Sequence, residues 1–113
     1  MVPTNEKRKR MFDEMGPATR VYLVRHGEVA NHHEKRYNGF NDVDITEEGV
    51  KQMKSVAERL NGAKVSAIYC SDLIRASRGA DIISNGRGLP IIKKAELRER
   101  NIGVWENLTL EEI

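Results

Sequence analysis

The sequence predicts an α/β domain: three layers, with helices packed on an open, mostly parallel sheet. Two observations predict it. Apolar, β-prone runs alternate with amphipathic helical stretches in the order β-α-β-α-β, and parallel strands need such crossovers between them. The first two strand-like runs also end in turn-forming or polar residues, Arg25-His26-Gly27 and Ser71-Asp72, as expected where a chain leaves the carboxyl edge of a sheet. At 113 residues, 39% hydrophobic and 32% charged, the chain makes one domain at most, with little core material.

Each element has a local reason. Residues 1–19 form a polar N-terminal extension containing Lys7-Arg8-Lys9-Arg10, diluted by Glu6, Asp13 and Glu14. This reads as a solvated terminus rather than a nucleic-acid patch, although Met11-Phe12 and Met15 could cap the domain as a short helix. The domain proper runs from 20 to 113. Val21-Tyr22-Leu23-Val24 reads as a buried strand running into Arg25-His26-Gly27-Glu28. Gly27 permits a sharp turn or a close approach of the backbone to a ligand.

Val29 to Asp44, rich in Asn, His, Gly and Asp, reads as a long loop suited to substrate contacts. Thr46 then caps a helix whose first turn carries Glu47 and Glu48. Val50, Met53, Ala57 and Leu60 form its apolar stripe, and Asn61-Gly62 stops it. Val65 to Cys70 is a second strand. Ser71 or Asp72 caps the next helix, with Leu73, Ala76, Ala80 and Ile83 as its stripe and Asn85-Gly86 as its end. Leu89 to Ile92 is a short third strand. Glu96 to Glu106 lacks helical periodicity, and Gly103 marks an ordered turn there.

Composition removes several classes. A net charge of +2 is too small to argue for nucleic acid. The single cysteine, Cys70, makes no internal disulfide and fits a reducing cytoplasm. No run reaches membrane-spanning length, and the N-terminus lacks the apolar core of a signal peptide. His26, His32 and His33 lack paired carboxylate or cysteine spacing, so no metal site is expected. A cysteine-dependent phosphatase needs a loop one residue longer than Cys70 to Arg75 provides.

What remains is anion chemistry. An arginine beside a histidine at a strand end can bind an anion and attack it. Arg75, in the first turn of the second helix, would join Arg25 at the same edge if their strands are neighbours. Two guanidinium forks and helix N-terminal amides suit a dianionic phosphate. A carboxylate such as Glu99 could protonate the leaving oxygen and later activate water. Taken singly, a helical arginine is commonly just solvated, and Glu99 between Arg98 and Arg100 is an ordinary surface ion-pair cluster.

Leu23-Val-Arg-His-Gly-Glu28, Tyr69-Cys-Ser-Asp-Leu-Ile-Arg75-Ala76 and Leu97-Arg-Glu99-Arg-Asn-Ile-Gly103-Val-Trp-Glu106 resemble the histidine phosphatase superfamily, the phosphoglycerate mutase-like proteins. The three motifs stand in family order, and the resemblance covers Arg20 to Ile113. It implies a phosphoglycerate mutase-like sheet, with His26 as the nucleophile that carries phosphate as phosphohistidine. Arg25 and Arg75 would hold the phosphate, and Glu99 matches the proton donor. Asn31 matches a phosphate-contacting asparagine, and Asn38 and Gly39 lie in Tyr37 to Asp42, which resembles the pocket-lining loop. No cofactor or metal is implied. The implied partner is a small phosphorylated metabolite, not nucleic acid or a membrane.

Ile102 stands where the mutases usually carry a tyrosine, and no basic residue near Leu110 matches theirs. The chain therefore looks more like the phosphatase branch, especially the α-ribazole phosphatase-like proteins, and hydrolysis is the expected reaction. A mutase-type phosphotransferase and a non-catalytic phosphate-binding module are the alternatives. The family's second catalytic histidine lies beyond the glutamate motif, where this chain has none. The chain thus reads as the N-terminal portion of the domain, truncated, with impaired turnover and self-association through an uncovered sheet edge.

Overall fold

The computed structural model describes residues 4–7 and 18–113. The expected Met11–Met15 helix and most of the Lys7–Arg10 run lie outside them. Helix α1 (Glu47–Arg59) begins as its sequence dictates, with the Thr46 hydroxyl accepting from the Gly49 amide at 3.0 Å. Strand β1 (Ile68–Cys70), helix α2 (Ile74–Ser84) and strand β2 (Ile91–Lys93) follow. The two strands pair in parallel, with Ile68 opposite Ile91 and Cys70 opposite Lys93. Helix α2 is therefore the expected crossover, and it ends at Asn85-Gly86, where Gly86 has φ +75°.

The core lies between the helices. Ile45, Met53 and Ile83 are buried together, and Val50, Val56, Ala57, Leu60, Ile68 and Ile82 pack around them. Gly79 makes the close crossing possible, because a Cβ there would sit 2.9 Å from Met53 Cε. The long loop is closed at its ends by an antiparallel bridge from Val29 to Ile45 and tied at its middle by another from Arg36 to Thr109. Short 3-10 turns lie at His32–Glu34, Ala95–Leu97 and Gly103–Trp105. No helix among the described residues is long and apolar enough to cross a membrane.

Two expectations fail locally. Val21–Val24 joins no ladder among the described residues, and Val21 and Leu23 are 71% and 94% exposed. A strand apolar on both faces is stable only with neighbours on both edges and layers above and below. Among the described residues the only ladder is β1 with β2, so the segment remains bare. The second exception is the start of α2. Neither Ser71 nor Asp72 is its N-cap residue; Leu73 occupies that position without a side-chain cap bond. The free amide of Ile74 instead donates to Asp42 Oδ1, 2.7 Å away in the long loop.

Candidate active site

The Arg25-His26-Gly27-Glu28 turn is fastened to the first turn of α1. A Cβ on Gly27 would lie 2.6 Å from the Gly49 carbonyl oxygen, and one on Gly49 would lie 2.5 Å from that of Glu28. Two glycines facing each other bring the two backbones into contact. The Glu28 amide donates to Gln52 Oε1 at 2.8 Å, and the Thr46 amide donates to the Glu28 carbonyl at 2.8 Å. His26 is held by this frame. Its Nδ1 lies 2.8 Å from the Gly27 carbonyl oxygen. A carbonyl can only accept, so Nδ1 carries the proton in the neutral ring and Nε2 keeps its lone pair.

Arg75 is 4% exposed. Its guanidinium donates to the Gly39 carbonyl at 2.5 Å and to the Asn41 carbonyl at 2.7 Å. Burial lowers its pKa, while Glu99, Asp42 and Glu106 act in the opposite direction. Two of the five donors of the fork are thus spent on the loop, and three carboxylates lie within electrostatic reach of the cation.

The loop is shaped from its other side by Glu106. One carboxylate oxygen accepts from Phe40 (2.6 Å) and Ile102 (3.3 Å), the other from Gly39 (3.1 Å) and Asn41 (3.2 Å). Burial pushes this carboxyl up, but the four amides together hold it below the usual glutamate range. Gly39 has no room for a side chain, since a Cβ would collide with the Arg100 carbonyl and Glu106. The amides of Asn31 and Asn38 bond reciprocally at 2.8 and 3.0 Å, and Asn41 Nδ2 donates to Asn38 Oδ1 at 2.6 Å. Arg98 grips Asp72 with two bonds of 2.5 Å and lies over the Phe40 ring.

Contacts therefore unite Arg75, Gly39, Asn38 and Asn31 in one network, with Glu99 within electrostatic reach of Arg75. Arg25 is exposed and His26 part-buried, and no hydrogen bond joins either to Arg75 among the described residues. Glu99 is exposed and accepts from the Arg100 amide at 3.0 Å. Asp42, Gly49 and Glu106 are the contributors that sequence reasoning missed. Glu106 stood within a motif, but three of its four partners lie more than sixty residues away and leave no local trace.

This is an α/β frame presenting a part-buried histidine and, in a polar loop, a buried arginine. The chain belongs to the histidine phosphatase superfamily (branch 1), whose pattern matches residues 21–113. It is 41% identical over 91 residues to a Cronobacter sakazakii protein named "probable phosphoglycerate mutase GpmB", covering 80% of this chain and 42% of that one. Among solved structures it is similar to Bacillus stearothermophilus YhfR, with TM-score 0.77 and 38% identity over 80% of this chain and 45% of that one. The alpha-ribazole phosphatase of Shigella flexneri gives TM-score 0.75 and 29% identity, covering 79% and 44%. The α/β class and phosphoglycerate mutase-like fold are thereby established. The chain spans less than half the length of these relatives.

Proposed function

We propose that this chain carries the phosphoryl-accepting part of a phosphomonoesterase, acting on a small phosphorylated metabolite as α-ribazole phosphatase-like proteins do. The observation that carries this is the His26 ring, whose Nδ1–H is committed to the Gly27 carbonyl so that Nε2 is the nucleophile. Nε2 attacks phosphorus, the P–O ester bond breaks, and protonated Glu99 gives its proton to the leaving oxygen. Water then attacks the phosphohistidine, Glu99 takes its proton, and the P–N bond breaks to restore the ring and release phosphate. Arg25 and Arg75 offset the negative charge that builds on the phosphoryl oxygens. Asn31, Asn38 and Gly39 shape the pocket through the loop. Cys70, buried and unpaired, suits the reducing cytoplasm we assign to the protein.

Brief exposure to a labelled phosphomonoester, followed by quenching, should leave acid-labile label on the wild-type chain and none on His26→Ala. Phosphate binding without label would support the other reading, a non-catalytic phosphate-binding module. Similarity to proteins named "probable phosphoglycerate mutase GpmB" supports a further reading, mutase-type phosphotransfer. Release of inorganic phosphate in step with substrate loss separates hydrolysis from that reaction.

A further inference from the structure

Arg75 and Glu106 hold the same short loop segment by opposite ends of its peptide groups. The carbonyls of Gly39 and Asn41 accept from the guanidinium, and the amides of Gly39, Phe40 and Asn41 donate to the carboxylate. The carboxylate also takes the Ile102 amide, three residues after Glu99. One side chain therefore connects the loop that anchors Arg75 to the segment that carries Glu99.

We propose that Glu106 is a positioning residue for the phosphate site. It sets where the Arg75 fork and the Glu99 segment stand without touching substrate, an inference that rests on Arg75 being a phosphate ligand. Both carboxylate oxygens are needed, because each accepts two amides. Glu106→Gln keeps the volume but turns an amino group toward two N–H donors, leaving them unpaired. The loop carbonyls then lose their register with Arg75, whose burial gives it few other partners.

The test is orthovanadate binding to the full chain by calorimetry, at a temperature where circular dichroism shows wild type and variants folded. Glu106→Gln should weaken vanadate about tenfold, the scale expected when a binding group is misplaced by a fraction of an ångström. Amide resonances of Gly39, Phe40 and Asn41 should move, while Gly49, capped by Thr46, stays in place. Glu106→Asp, which keeps the charge, should regain part of the affinity. A purely structural role would lower the melting temperature and leave affinity in the folded protein untouched. Wild-type affinity in Glu106→Gln, alongside its loss in Arg75→Ala, overturns the positioning role and leaves the phosphate reading standing. Equal affinity in wild type and Arg75→Ala overturns the phosphate reading and the proposal with it. If Glu106→Gln does not fold, Glu106→Asp decides: a several-fold loss supports the proposal, and wild-type affinity refutes it.

Discussion

At the scale of single residues, the glycines near His26 show how backbone approach can outweigh propensity. Replacing a helical glycine by alanine ordinarily stabilises by up to about 1 kcal/mol. At Gly49 the added methyl would stand 2.5 Å from the Glu28 carbonyl oxygen and 3.0 Å from Ile45 Cβ. Both neighbours are fixed, one as backbone and one in the core, so Gly49→Ala should destabilise by roughly 1–3 kcal/mol. Urea unfolding checks this, and an unchanged or higher midpoint would show that the turn can retreat from the helix. Gly27 was expected to serve a turn or a ligand's approach; its crowded partner is the backbone of α1. A single sequence gives no sign of this, since a glycine in a helix and one in a turn do not announce that they touch.

At the scale of elements, the helices were legible and their joins less so. Thr46 and the Val50, Met53, Ala57, Leu60 stripe specify α1 locally, as the observed cap and burial agree. The start of α2 is different, because Asp42 reaches it from more than thirty residues away. Asp42→Ala should cost about 1 kcal/mol, the usual worth of a lost cap, and should lower hydrogen-exchange protection most at the Ile74 end of α2 and least at its far end. Unaltered protection of the Ile74 amide would remove Asp42 from the helix terminus. Acid acts on the same joins. Arg78 holds Asp44, and Arg98 holds Asp72, below the usual aspartate range. A carboxyl with a depressed folded pKa contributes stability above its unfolded pKa and loses it as pH falls through the folded value. Urea midpoints should therefore fall from about pH 4 downward, and Asp72→Asn should flatten that dependence. A pH profile as steep in Asp72→Asn as in wild type would mean that the Arg98 pair is not part of it.

At the scale of the whole molecule, the parallel unit β1-α2-β2 was readable because its crossover lies within the sequence. Val21–Val24 was readable as a strand only in composition: its residue types are right, but pairing is a property of two segments and no partner is present among the described residues. Tyr22 and Val24 are 42% and 41% exposed while Val21 and Leu23 are far barer, so the segment keeps a strand's alternation with one face wholly uncovered. Among the described residues the backbone amides and carbonyls of that run find no partner either, the condition under which edges recruit other chains. The 113-residue chain should consequently associate with itself as concentration rises. Sedimentation velocity over a concentration series should show mass above 12.9 kDa, and the double substitution Val21→Lys, Leu23→Lys should return it toward monomer, since charge on an exposed strand opposes edge pairing. Because those two side chains support none of the buried core residues, their replacement should leave the α1–α2 packing and its thermal transition in place. A wild-type chain that sediments as a monomer throughout, or a lysine variant that associates as strongly, would put the contact elsewhere on the surface.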